Sequence, residues 1–401
     1  MKTRKIALLA ACLLVFGNSA PVQAAKVPSP DTRYFVKSTA AIWKNSLGVR
    51  HTFAHGFTSD LTDWQLRLTK IFNIEIEPVS KLSILPGETV EPEVSPASRR
   101  PAPGRHTPDA QVGWGIQALY GDPALTQSSG GKDVTVAVLD TGILKTHLDL
   151  VQRIVDCADF TQPKQAMVAG KCEDKNGHGT HVSGIIAADG GKDGLGMYGM
   201  APEAGLAAYK VCDQNGSCWA DDVAAAVRAA ADAGVQVVNL SLGSDRESPL
   251  IAEAIAYAVT KNVLIVAAAG NDGPYPGSID YPAAHPEVAG VGALNVERNI
   301  PDWSSRGSNS ITTPNVIEAG DIEFAAPGVQ IESAWKDGGY AVLSGTSMAA
   351  PHVAGLAAKL WPTNVENPAS QVRELLWKLS QDVLPEGEDD DSGFGMPVLS
   401  E

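Results

Sequence analysis

Four nearly continuous apolar runs, residues 134–139, 206–211, 235–240 and 263–268, constrain this chain most. Between them lie stretches with apolar residues at helical spacing, such as 221–233 and 249–260. A strand that is apolar on both faces must be covered on both, so the alternation predicts an α/β fold, a parallel sheet with helices on both faces. Ligands of such sheets bind beyond the carboxyl ends of the strands. Asp140 and Asn271 each fall just past the end of an apolar run.

The 401 residues exceed one ordinary domain. Residues 33–79 alternate short β-like runs (34–37, 50–53 and 74–79) with an amphipathic segment at 61–72, enough for a small α+β module. Residues 82–110, rich in Pro, Glu and Ser and carrying Arg99, Arg100 and Arg105, read as a linker that cannot bury a core. The large α/β domain is expected over 111–401.

At the start, Lys2, Arg4 and Lys5 precede the apolar run 6–16, and Val22, Gln23 and Ala24 offer small residues at signal-peptidase spacing. That run is too short for a permanent anchor. Residues 1–24 therefore read as a signal peptide, and the product as secreted, extracellular or periplasmic, without stable membrane insertion. Cys12 sits inside the apolar run, which argues against a lipid-modified cysteine. Export leaves Cys157, Cys172, Cys212 and Cys218, an even number that favours disulfides in an oxidising compartment. Three connectivities are open. Local pairing, Cys157 with Cys172 and Cys212 with Cys218, is the expectation, and a metal site is disfavoured because no spacing is CxxC.

The formal charge of −15 is uneven. Residues 111–401 carry 17 Lys and Arg against 37 Asp and Glu, whereas 25–110 carry 11 against 9. Nucleic acid is thereby disfavoured as a partner of the acidic part.

Three motifs then supply an acid, a base and a nucleophile: Asp140, Thr141 and Gly142; Asn176, Gly177, His178, Gly179, Thr180 and His181; and Gly345, Thr346, Ser347, Met348, Ala349, Ala350 and Pro351. A serine hydroxyl needs an imidazole to take its proton, and the imidazole a buried carboxylate to hold its tautomer. Ser347 opens an apolar helix, 348–360, whose free backbone N–H groups and positive dipole end would face a developing oxyanion. Alone, a GTS before a helix is an ordinary N-cap, and HxxH without the Glu of HExxH is a pair of helix histidines.

Together, and with Ala267 to Ala269, Gly270, Asn271 and Asp272, the motifs resemble the subtilisin-like serine proteases, whose own chain order is Asp, His, Ser. The resemblance runs from about Trp114 to the C-terminus, with a weaker similarity to subtilase propeptides over 33–79. It implies a secreted serine endopeptidase, acting through an acyl-enzyme on extended polypeptides. Asp140, His178 and Ser347 would be the triad and Asn271 the oxyanion donor. Residues 25–81 would be an inhibitory propeptide and intramolecular chaperone, removed by self-processing of a zymogen that is otherwise a monomer. Ser241, Leu242 and Gly243 would form one substrate-binding edge and Gly216 the other. Asp280 falls at the base of the primary pocket, where the family often has a small residue; a carboxylate there favours Arg or Lys. Asp149, with Asp193, Leu195 and Met197 in the loop 189–197, resembles a structural calcium site, and that loop is two residues longer than the family pattern. The first processing cut is expected after Arg99, because Pro101 follows Arg100 and Pro103 precedes Arg105 by two positions. Rival readings are an aspartic protease pairing Asp140 with Asp391, an α/β-hydrolase using His352, and an inactive member acting as a binding module.

Overall fold

In the computed structural model the described residues are 33–85, 107–163, 165–308, 317–383 and 389–399. The signal segment, Cys12 and Arg99, Arg100 and Arg105 of the linker lie outside them. The first unit comprises β1 (Arg33–Val36), α1 (Ala41–Leu47), β2 (Thr52–Phe53), β3 (Gly56–Asp60), α2 (Asp63–Ile71) and β4 (Ile76–Pro78). Its antiparallel sheet has the order β2-β3-β1-β4 and closes over Val36, Leu47, Phe57 and Leu61. Helix α2 starts on a capping box, with Thr62 accepting from the Gln65 N–H while Gln65 accepts from the Thr62 N–H. The next strand, β5 (Lys81–Ile84), departs from the expected linker beginning at 82. It belongs to neither unit alone.

The second unit runs α3 (Trp114–Tyr120), β6 (Thr135–Asp140), β7 (Ile154–Asp159), β8 (Val168–Ala169), α4 (His178–Ala187), β9 (Gly205–Lys210), β10 (Ser217–Trp219), α5 (Ala220–Asp232), β11 (Val237–Leu240), β12 (Leu242–Gly243) and α6 (Pro249–Thr260). It continues through β13 (Leu264–Ala268), β14 (Val288–Leu294), β15 (Phe324–Pro327), β16 (Ile331–Ala334), β17 (Tyr340–Leu343), α7 (Thr346–Lys359), α8 (Pro368–Leu379), β18 (Ser380–Gln381) and β19 (Met396–Pro397). Eight strands form one sheet in the order β15-β14-β13-β11-β6-β9-β7-β8, parallel except for the short edge strand β8. Alternate residues feed two cores. Val136, Val138 and Val266 point to the face covered by α4 and α7, and Ala137, Leu139 and Ile265 to the face covered by α5 and α6. After β6 the chain builds outward through β7 and β9 on one side, then crosses to β11, β13, β14 and β15 on the other. This order makes β6 the switch point, where the crevice of an open α/β sheet opens.

Both local disulfides are formed, Cys157–Cys172 and Cys212–Cys218. The first ties β7 to the loop before α4, and the second closes the turn that carries Gly216. Closing such loops restricts the unfolded chain.

Strand β5 is the middle of a three-stranded antiparallel sheet, β10-β5-β12, so both edges of the large unit pair with it. Beside it the two units meet through buried charge. Arg33 reaches Asp221 at 2.8 Å and Asp222 at 3.0 Å, His51 Nε2 lies 2.8 Å from Asp222, and Arg50 spans Asp60 and Asp222. Asp221 and Asp222 are in the first turn of α5, where the helix dipole favours negative charge.

Helices α4 and α7 bury His181 and His352 completely enough that both resist protonation. Burial, then the neighbouring His178, takes His181 down to about 3; burial takes His352 to about 4. A histidine whose folded value is depressed stabilises the fold fully above its unfolded value near 6.5, and this is lost as pH falls toward the folded value. Urea unfolding of a Ser347→Ala protein should therefore weaken between pH 6.5 and 4 by up to about 1.4 kcal/mol per pH unit for each such histidine. His181→Gln should flatten that slope, and an unchanged slope would contradict the assignment. In the same background, Asp222→Asn strips a buried partner from Arg33, Arg50 and His51 and should cost about 3–5 kcal/mol of docking. The N-terminal unit should then release at lower urea than the rest of the chain.

Candidate active site

Asp140 closes β6 at the switch point, 1 % exposed. Both its carboxylate oxygens lie 2.9 Å from His178 Nδ1, and one also accepts the Thr141 N–H at 2.6 Å. The sequence reading missed what aims that imidazole, which is Asp174. One oxygen of Asp174 accepts from the Thr141 hydroxyl and the N–H groups of Asn176 and Gly177; the other accepts from the N–H and hydroxyl of Thr180. The turn after Asp140 is thereby tied to the first turn of α4. Burial alone would raise the Asp174 carboxyl, but the Thr180 and backbone donors outweigh it and hold the group below its ordinary value. Gly142, with φ at +114°, lets this turn pass so close to the Cys172 carbonyl that a Cβ on it would lie 2.4 Å from the oxygen.

Ser347 is the second residue of α7 and fully buried. Pro351 lies inside that helix and has no N–H, so the Ser347 carbonyl loses its helical donor. The Ser241 hydroxyl replaces it at 2.9 Å, and the Asn239 amide donates in turn to Ser241 at 3.0 Å. Ser241 was expected to bind substrate. Its side chain braces the helix that carries Ser347, its carbonyl lies in the cleft 3.2 Å from the Ser347 Oγ, and the neighbouring Leu242 and Gly243 face Ile84 and Ser83.

Asn271 follows β13. Its amide oxygen accepts from the Thr346 N–H and hydroxyl, both at 3.1 Å, which turns the NH2 toward the cleft. There it donates to the Leu85 carbonyl at 2.9 Å, and the Ser347 Oγ points to the same carbonyl at 3.0 Å. On the opposite edge the Ile84 N–H donates to the Gly216 carbonyl at 2.9 Å. Any side chain at Gly216 would meet Ile84 at 2.5 Å. Ser347 also contacts the Ser241 carbonyl at 3.2 Å, while His178 Nε2 is buried without a hydrogen-bond partner among the described residues.

Asp280 lies behind Gly243 and Gly270, its Oδ2 within 2.8 and 2.9 Å of where their Cβ atoms would be. It is 3 % exposed, and burial, then Asp272 and Asp245, pushes its carboxyl up to about 7.

Asp149 is fully buried and accepts from the Met197 N–H at 3.0 Å and the Tyr340 hydroxyl at 2.6 Å. In the loop 189–197 the carbonyls of Gly194 and Gly196 converge on the Gln111 amide at 2.6 and 3.0 Å. These are one position before the expected Leu195 and Met197. Met197 directs its carbonyl to the Gly190 N–H, and Asp193 accepts from the Leu195 N–H. Carboxylate, amide and carbonyl oxygens are the donor set calcium takes, so Asp149, Gly194 and Gly196 fit such an ion, and Gln111 joins them when its amide turns its oxygen, in place of the NH2 that now donates to the two carbonyls, toward them.

The rival sites are not assembled. Asp140 is partnered by an imidazole, and Asp391 by Arg306. His352 gives its Nδ1 to the Met348 carbonyl at 2.8 Å and packs against Gly115 of α3.

A family model described as the subtilase family matches residues 131–395. The subtilisin of Bacillus sp. strain TA39 is 44% identical over 375 residues, covering 89% of this chain and 87% of its own. An alkaline protease of Alkalihalobacillus alcalophilus is 36% identical over 314 residues, covering 78% and 76%. Among solved structures, the sphericase chain superposes with a TM-score of 0.70 at 44% identity, covering 73% of this chain and 99% of its own. The chain belongs to the subtilase family of serine endopeptidases.

Proposed function

We propose that this enzyme is a secreted zymogen that hydrolyses peptide bonds through Asp140, His178 and Ser347. The observation that carries the reading is the Leu85 carbonyl, held between the Ser347 hydroxyl and the Asn271 amide by a strand paired on both edges. Main-chain pairing of this kind binds an extended peptide with little demand on sequence.

In the reaction Ser347 Oγ turns to His178 Nε2, which has no competing partner, and attacks the carbonyl carbon as the imidazole takes its proton. Asp140 keeps the Nδ1 proton in place and stabilises the imidazolium. The oxyanion receives the Asn271 NH2 and the N–H groups opening α7. His178 then returns the proton to the leaving amine, and water repeats the sequence on the acyl-enzyme.

Residues 33–85 act as the inhibitory module, with β5 in the substrate's place. The bond they present is Leu85–Pro86, and its proline hinders cleavage. Maturation is assigned to the linker, first after Arg99, with trimming toward Gln111. With its carboxylate uncompensated, Asp280 at the pocket floor favours a basic residue before the scissile bond. Asp149, Gln111, Gly194 and Gly196 would hold calcium, which contributes stability and no chemistry. No helix among the described residues is long and apolar enough to cross a membrane.

A serine-reactive phosphonate should label Ser347 and abolish peptidase activity. Ser347→Ala and His178→Ala should each leave a folded, unprocessed precursor. Normal maturation of purified Ser347→Ala, with no other protease present, would contradict self-processing. Asn271→Leu should lower kcat about 10²–10³-fold, a value carried over from subtilisin itself rather than read from this geometry.

Chelation should lower the melting temperature of the mature enzyme, and Asp149→Ala should blunt that response. A melting temperature indifferent to chelator would remove the calcium assignment.

A further inference from the structure

Asp245 follows β12 by two residues, Asp272 follows Asn271, and Asp280 closes the floor between Gly243 and Gly270. One carboxylate oxygen from each lies within 4.8 Å of those of the other two. Asp245 and Asp272 are exposed, whereas Asp280 is 3 % exposed. Among the described residues the Asp280 carboxylate accepts no hydrogen bond, and no Lys or Arg pairs with any of the three. A carboxylate buried without donor or counter-charge is costly, and two more aimed at the same point raise the cost. Each feature is relieved by one cation placed where the three oxygens meet.

We propose that Asp245, Asp272 and Asp280 bind a divalent cation, calcium by its preference for carboxylate and water oxygens, at the floor of the primary specificity pocket, and that its presence decides which side chain the pocket accepts. This rests on the reading of the cleft as a peptidase site. With the cation bound, the floor's charge falls from −3 to −1 and the three carboxylates are engaged as ligands, so a guanidinium or ammonium group loses most of its attraction there. An apolar residue then fits, and the residue seated with its carbonyl on Ser347 and Asn271 is Leu85, 7 % exposed. With the cation removed, the same three carboxylates attract Arg or Lys. The cluster is separate from the loop around Asp149, whose donors come from α3's approach and the loop 189–197.

The test uses mature enzyme and two peptide substrates differing only in Arg or Leu before the scissile bond. Free calcium is raised from about 10 µM to about 10 mM, across the ~10⁻⁴–10⁻³ M affinities of extracellular calcium modules, at constant ionic strength. Calcium should lower kcat/KM for the Arg peptide about tenfold or more without lowering it for the Leu peptide. Asp245→Asn and Asp272→Asn should flatten that dependence. Calorimetry on the full-length Ser347→Ala chain should count one calcium site fewer in either variant, while Asp149→Ala removes a different one. An Arg-to-Leu ratio indifferent to calcium, or an equal effect on both peptides, would overturn the proposal. If neither peptide is cleaved at any calcium concentration, the peptidase reading fails instead, and an unchanged site count in the calorimetry would still overturn the cation site.

Discussion

The carbonyl of Leu85 is the point on which the two units and the proposed catalytic groups converge. It accepts from Asn271 at 2.9 Å and faces Ser347 Oγ at 3.0 Å, and it is delivered there by β5, which is saturated with backbone pairing on both sides. A strand between two edges leaves neither edge free to bind another chain. The N-terminal unit is thus coupled to the cleft by main-chain geometry. The ion cluster of Arg33, Arg50 and His51 on Asp221 and Asp222 adds a side-chain anchor at the start of α5, the helix that follows β10 directly.

The same economy governs the proposed catalytic groups. Asp140 stands at the carboxyl end of the switch-point strand, and Asp174 links the turn after it to the helix that presents His178. Pro351 deprives the Ser347 carbonyl of its helical donor, and the Ser241 hydroxyl supplies one from the end of the neighbouring strand. Each side chain proposed to be catalytic is fixed by a second residue from a different element, so the site is set by the sheet's order rather than by any one loop.

The apolar runs were legible because a strand covered on both faces leaves little choice of residue, and β6, β9, β11 and β13 lie within a residue or two of where they are expected. Strand β7 was not, since Asp156 and Asp159 interrupt it near the sheet's edge, nor β14, whose glycines weaken the β signal. The bracing role of the Ser241 hydroxyl left no mark on its own motif, because the orphaned carbonyl it serves belongs to the second residue of a helix more than a hundred residues away. Asp174 had a signal, a carboxylate four residues before His178, but an Asp ahead of a helix reads as an ordinary cap. Strand β5 stayed hidden because Lys81 to Ile84 alternate weakly beside a Pro-rich stretch, and their partners lie more than a hundred residues away. In the loop 189–197 the carbonyls that meet at the Gln111 amide are those of Gly194 and Gly196.

Amide hydrogen exchange across 81–85 in full-length Ser347→Ala protein tests most directly whether the chain occupies its own cleft. Pairing on both edges predicts that these amides, that of Ile84 bonded to Gly216 above all, exchange as slowly as those of β10 and β12. Exchange at the rate of an open peptide, with β10 and β12 still protected, would contradict the account.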